Sequence, residues 1–467
     1  MNAASPLRIM VTGREELQWQ VQRLGLRGKM NLQPVIDTVN EILRQVQERG
    51  DQALLELTAR YDHVSLSVGQ MRVGEDEISA ALEQTDLSLL DAMHEAAVRI
   101  RAFHDAQRPQ DLILPSGQGS SISLLNRPLD TVGVYVPGGL APLPSSVLMN
   151  IIPARSAGVR RVLLCTPPRG DGSVDPSILA AASIAGADEI YRIGGAQAIA
   201  AMAYGTATVQ AVDKITGPGN IYVNTAKRLV FGQVDIDMFA GPSEILIIAD
   251  ASAKAAYVAA DLLSQAEHDP LASALLLTNS QDLAEAVSAE VALRIPLLPR
   301  ADIIRQSLTD YGAALVLPDL QTAVDFANEL APEHLELLVD DPQRLLPHIR
   351  NAGAVFVGPY SPEALGDYLA GTNHVLPTSG TARFFSPLNT QDFMKKTSVI
   401  HYTASDLKAC SQAITRFAEA EHLKAHAESV RVRFAQDLLA QRMSSNIPHA
   451  DEDSQQTGQG DSHEQQG

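Results

Sequence analysis

Apolar positions recur at three- and four-residue intervals from about residue 30 to 110, most clearly in "LQPVIDTVNEILRQVQERGDQALLELTARYD" (32–62). That spacing lays one apolar stripe along each of a run of amphipathic helices. The texture changes at "DTVGVYVPGG" (130–139), a short β-rich run closed by Pro-Gly-Gly. Beyond it, β-like and α-like segments alternate. "RVLLCT" (161–166) precedes "PSILAAASIAGA" (176–187), and "EIYRIGG" (189–195) precedes "AQAIAAMAYGT" (196–206). "EILIIAD" (244–250) precedes "AKAAYVAADLLSQAEHD" (253–269), and "SALLLTNS" (273–280) precedes "DLAEAVSAEVALRI" (282–295). "AALVLPD" (313–319) and "GAVFVGP" (353–359) read as further buried strands. Such alternation predicts an α/β fold of parallel sheets covered by helices. The breaks near 130 and 243 predict one α/β unit, 131–243, inserted between residues 30–130 and 244–385 of another. A short segment, 1–29, precedes them. Helical segments at 386–445 and a disordered acidic tail at 446–467 follow.

Composition narrows the function classes. The 467 residues are 45% apolar and 19% charged, the balance of a soluble globular enzyme. A formal charge of −19 argues against a nucleic-acid surface, which needs clustered Lys and Arg. The stretch "HADEDSQQTGQGDSHEQQG" (449–467) has no large apolar residue to bury, hence the expectation of disorder. No stretch has the length of a membrane span, and Cys165 and Cys410 cannot form a disulfide framework, so a cytoplasmic location is expected. Cys165 lies in the strand "RVLLCT" and reads as an inert core thiol.

Glycine-rich turns at "VPGG" (136–139), "IGGAQ" (193–197), "TGPGN" (216–220) and "AGPSE" (240–244) suit ligand loops at strand C-termini. None is a G-x-G-x-x-G or phosphate-cradling fingerprint, and tight turns use the same residues. In "SQAEHD" (264–269), Gln265 and His268 are three apart and share a helix face, a metal pair or a polar helix end. "GDYLAGTNHVLPT" (366–378) sets Asp367, Asn373 and His374 between glycines, as binding loops do. "EAEHLKAHAESV" (419–430) offers Glu421, His422 and His426; spacing alone pairs His422 with His426, or leaves all three on a solvated face. In "ELAPEHLEL" (329–337), Pro332 and Glu333 suit the first turn of a helix, with Glu333–His334 either an acid/base pair or part of that polar turn.

Taken together and in order, "GPGN", "AGPSE", "SQAEHD", "LAPEHLEL", "GDYLAGTNHVLPT" and "AHAESV" resemble the histidinol dehydrogenase family over roughly residues 30–440. The resemblance implies two incomplete Rossmann-like domains with small helical appendages, in a homodimer whose sites are shared between subunits. It implies two successive NAD-dependent oxidations, L-histidinol to L-histidine through a bound aldehyde, at the end of histidine biosynthesis, with one zinc ion per subunit. Carried over, the zinc ligands fall on Gln265, His268, Asp367 and His426, and the acid/base residues on Glu333 and His334. Substrate contacts fall on Ser243, His374 and Glu421, together with His334 and the four ligands, and NAD contacts on Tyr135, Gln197 and Asn220. The family pattern has glycine where this chain has His422.

The residue types suit that chemistry. Histidinol brings an imidazole and an amine that borderline Zn²⁺ can accept, and an anionic Glu421 suits a cationic amino alcohol. Residues five apart, such as Glu421 and His426, diverge by about 140° on a helix. They reach one pocket only if the helix breaks or crosses a subunit boundary. The alternatives are a dehydrogenase of the same family acting on another small polar alcohol such as a sulfonated diol, a zinc hydrolase, and a non-catalytic regulator.

Overall fold

A computed structural model describes residues 6–12, 14–25, 33–138, 142–239 and 241–435. The acidic tail lies outside them. Two compact units make up the chain, one of residues 1–109 with 126–395, the other of 110–125 with 396–467.

The first unit holds two parallel sheets. In chain order the first runs through Thr131–Tyr135, Arg161–Thr166, Glu189–Arg192, Lys214–Thr216 and Asp235–Ile236, arranged in space as third, second, first, fourth and fifth. The second orders Ile9–Val11, Ala313–Val316, Ser273–Thr278, Glu244–Ala249, His334–Leu338 and Ala354–Val357, again all parallel. Glu244–Ala249 and Ser273–Thr278 are buried at every position, and they read as unbroken apolar runs because helices cover both faces of a parallel sheet. Apart from the edge strand Ile9–Val11, each sheet reverses its winding once, beside its first strand. That halved doubly wound pattern is the incomplete Rossmann-like fold the sequence implies.

One expected boundary is corrected. Residues 30–130 were expected to belong with 244–385, but their helices cover the sheet of 131–236. Val39, Ile42, Leu43, Leu54 and Leu57 pack with Leu163, Ile193 and Ile199 on one face. Met93, Ala97 and Ile100 pack with Val134, Val147 and Val162 on the other. The reason is visible in the crossover helices. Pro176–Ala185 and Gly195–Tyr204 are apolar nearly all round and buried, so each needs a further layer outside it.

A second correction concerns Pro332. No helix starts there. Helix Leu320–Leu330 ends at Ala331, whose left-handed backbone (φ 53) closes it, and Pro332 then blocks continuation. His334–Leu338 follows as a strand buried at all five positions. Proline suits the exit of a helix as well as its entry, and the apolar run after it decides for a strand.

In the second unit, Leu112–Ser116 and Ser120–Pro128 pair antiparallel, and the Asp406 carboxylate accepts from the Gln118 amide at 3.1 and 3.0 Å. The helix Ala404–Ala420 breaks before Lys424–Arg431 begins, so Glu421 and His426 do not lie on one continuous helix. The break is a Schellman turn: Leu423 N donates to Ala418 O (2.7 Å) and His422 N to Glu419 O (3.0 Å). His422 stands at its left-handed position, φ 60, which explains the glycine in the family pattern. The His422 side chain is exposed. Replacing His422 with Gly should raise stability by about 0.5–1 kcal/mol, because relief of left-handed strain outweighs the added freedom of the unfolded chain. Thermal unfolding of both proteins checks this, and a lower midpoint for the glycine variant would contradict it.

Candidate active site

Two clusters form in the first unit. The smaller one gathers at the C-terminal ends of the first sheet, where its winding reverses between Thr131–Tyr135 and Lys214–Thr216. Ligands of doubly wound sheets lie at such reversals. Tyr135 ends its strand, and its hydroxyl accepts from Gly195 N (3.1 Å) at the start of the helix Gly195–Tyr204. Burial pushes this phenol up to about 12. Gln197, on the first turn of that helix, is buried. Asn220 caps the helix Ile221–Val230 and accepts from Tyr222 N (3.0 Å) and Val223 N (3.1 Å). Its "TGPGN" turn is pinned by a buried ion pair: Lys227 Nζ donates to Gly217 O (3.0 Å), Asp237 accepts from Gly217 N (2.8 Å), and Lys227 pairs with Asp237. Gly217 is required there (φ 116), since a Cβ would collide with Tyr135 O.

The larger cluster sits at the opposite, N-terminal, ends of the strands of the second sheet. "AGPSE" therefore precedes a strand, where a turn at a strand C-terminus was expected. Glu244 starts one strand, and the Glu333–His334 pair leads into its neighbour. Both members address the backbone of the same residue. Glu333 Oε2 accepts from Glu244 N (2.9 Å), and His334 Nδ1 donates to Glu244 O (3.0 Å). A carbonyl can only accept, so this contact puts the His334 proton on Nδ1 and leaves Nε2 as the basic nitrogen. Glu333 is 7% exposed and His334 4%. Burial pushes the Glu333 carboxyl well above the ordinary range, and the buried carboxylates Glu244 and Glu363 add to the rise. Burial holds His334 down to about 4 against the opposing charge of Asp367, so its imidazole is neutral at physiological pH. Ser243 precedes Glu244, and its carbonyl accepts from Ser273 N (3.0 Å).

Gln265 is fully buried near the end of the helix Ala255–Ala266, whereas His268 lies past that end, exposed. The shared helix face expected for the pair is therefore absent; a turn carries His268. Asp367 lies on the short helix Glu363–Tyr368. His374 is held by its Nδ1 donating to Asp367 O (3.1 Å), with Nε2 3.3 Å from Ser146 Oγ. His268, Asp367 and Glu363 each offer one ligand atom, all within 4.8 Å of one another. Zn–N and Zn–O bonds of about 2.1 Å put donors ~3.4 Å apart around a tetrahedral ion, so small side-chain shifts suffice. An imidazole, carboxylates and an amide form a donor set that fits zinc, and so many buried acids call for a cation.

Glu363 was passed over in the sequence, as was Glu244. The signal for Glu363 was its place four residues before Asp367, one helical turn away on the same face. Glu421 and His426 belong to the second unit, where both are exposed. Cys165 is fully buried in its strand, and burial pushes its thiol up strongly, which removes it as a nucleophile.

A doubly wound α/β scaffold thus carries a buried Glu333–His334 pair beside three side chains, His268, Glu363 and Asp367, close enough together to share a metal ion. The histidinol dehydrogenase family model matches residues 26–434. The chain is 53% identical to a histidinol dehydrogenase of Syntrophotalea carbinolica over 408 residues, 87% of this chain and 94% of that one. It is 50% identical to one of Bacillus cereus over 414 residues, 88% of this chain and 96% of that one. The crystal structure of the Elizabethkingia anophelis histidinol dehydrogenase superposes with a TM-score of 0.88 at 38% identity, covering 93% of this chain and 99% of that one. The chain belongs to the histidinol dehydrogenase family and is an oxidoreductase. No helix among its described residues is long and apolar enough to cross a membrane.

Proposed function

We propose that the protein oxidises L-histidinol to L-histidine in two steps through a bound aldehyde, the closing reactions of histidine biosynthesis, in the cytoplasm. The observation that carries this is the Glu333–His334 pair holding the backbone N–H and C=O of Glu244 beside the His268–Asp367–Glu363 donors. Gln265, His268, Asp367 and His426 would hold the zinc ion; Tyr135, Gln197 and Asn220 would meet NAD. When bound, zinc orients the imidazole and amine of the substrate, and NAD accepts a hydride in each step. His334 Nε2 removes the hydroxyl proton of the alcohol. Glu333 removes a proton from the water that hydrates the aldehyde. Ser243, His374 and Glu421 complete the substrate contacts, and His374 is already oriented by the Asp367 carbonyl.

His426 and Glu421 are exposed on the second unit and free to serve a partner subunit, which supports a homodimer with shared sites. The test is stoichiometric. Two NADH should form per histidinol consumed, a chelator should abolish turnover, and zinc should restore it. One NADH per histidinol, with release of the aldehyde, would refute the double oxidation.

A further inference from the structure

Glu363 lies within the donor cluster but is not one of the four proposed zinc ligands, and it is among the most buried acids of the site. It opens the helix Glu363–Tyr368 at 2% exposure, and its backbone N–H donates to Glu336 Oε1 at 3.0 Å. One carboxylate oxygen lies 3.3 Å from Ser264 Oγ. The other, Oε1, faces the Gln265 amide together with Glu244 O. Both are acceptors, so the amide is assigned with its nitrogen on this side, 3.2 Å from Glu363 Oε1 and 3.1 Å from Glu244 O, the opposite orientation leaving oxygen against oxygen. An amide nitrogen carries two protons, and these two oxygens match them. The third neighbour of that nitrogen, His334 Nδ1 at 3.0 Å, already directs its own proton to Glu244 O. With the nitrogen so engaged, the Gln265 oxygen is turned to the opposite side of the amide.

This bears on a specific weakness of glutamine as a ligand. Its amide can present either oxygen or nitrogen, and only oxygen binds a cation. Ligands of metal sites are commonly aimed by hydrogen bonds to their far atoms. We propose that Glu363 is a positioning residue: it holds the Gln265 nitrogen and thereby presents the Gln265 oxygen to the zinc ion. The inference rests on the zinc reading given above.

The test is a double-mutant comparison of zinc affinity, read by competition with a chromophoric chelator, alongside the visible spectrum of the cobalt-substituted enzyme. Glu363→Met, which removes the acceptor at similar volume, should weaken zinc by about 10- to 100-fold and shift the cobalt bands. Glu363→Gln, which keeps an acceptor oxygen, should restore affinity to near the wild-type value. In a Gln265→Ala background the Glu363→Met change should have little further effect, because the group it positions is gone. If Glu363→Met does not fold, Glu363→Ala serves the same comparison. Unchanged zinc affinity and cobalt bands in Glu363→Met would overturn the proposal. So would a full loss that persists without Gln265, which would make Glu363 a ligand in its own right. Absence of zinc binding in the wild type would overturn the zinc reading itself, an outcome separable from the other two.

Discussion

His334→Ala should slow oxidation of the alcohol by about 100- to 10,000-fold, the range over which a positioned general base acts. The measurement is single-turnover NADH formation from histidinol at saturating NAD, and a loss under tenfold would remove His334 from the role of base. Two structural facts make the expected loss large. The hydrogen bond from Nδ1 to Glu244 O fixes the tautomer with Nε2 basic, and burial holds the imidazole down to about 4. His334 is thus ready to accept a proton throughout the neutral and weakly acidic range, and the first oxidation should show no loss from its protonation near 6.5, its ordinary value. Stability carries the same sign. Between 6.5 and about 4 the unfolded chain binds a proton at His334 that the folded chain refuses. Stability therefore falls as the pH drops through that window, and the fall ends once both states are protonated. Removing the ring also leaves Glu244 O without that donor, so the activity comparison belongs at a temperature where both proteins are folded.

How legible was all this in the chain? The strands announced themselves, because parallel strands buried on both faces are written as apolar runs such as "EILIIA". Helix period, by contrast, shows that a helix has an apolar face and leaves open which sheet it covers. The helices of 33–105 were therefore assigned to the wrong neighbour, although the all-apolar crossover helices contained the correction. The Pro332 misreading has a similar source: a local rule, proline at a helix start, was satisfied by an exit. Placing Glu333 and His334 ahead of a strand matters for the site. Backbone donors and acceptors of the neighbouring strand then reach both side chains, which a helix start would not have arranged. A helix break or a subunit boundary was expected between Glu421 and His426 if they share a pocket; the helix does break there, and that His422 fills a left-handed position shows only in the backbone angle. Glu363 escaped because burial, distance and the Gln265 amide are tertiary facts with no trace in spacing beyond one helical turn.

Glu333→Gln should separate the two oxidations. Gln retains an oxygen to accept from Glu244 N, so the pocket keeps its shape, while the group that would take a proton from water is lost. The expected result is an alcohol step within about tenfold of wild type and an aldehyde step slower by 100-fold or more, the lower part of the range for a missing general base. NADH yield per histidinol should then fall from two toward one, with the aldehyde recovered by a carbonyl trap. Acidity sharpens the prediction. Burial and the neighbouring carboxylates push Glu333 well above the ordinary carboxyl range, so it holds its proton to higher pH than an exposed acid. The fraction able to act as base grows as pH rises, and the aldehyde step should climb with pH in the wild type. In Glu333→Gln no such group titrates, and the climb should vanish. A glutamine variant whose aldehyde step keeps both its rate and its pH dependence would transfer the water-activating role to another group.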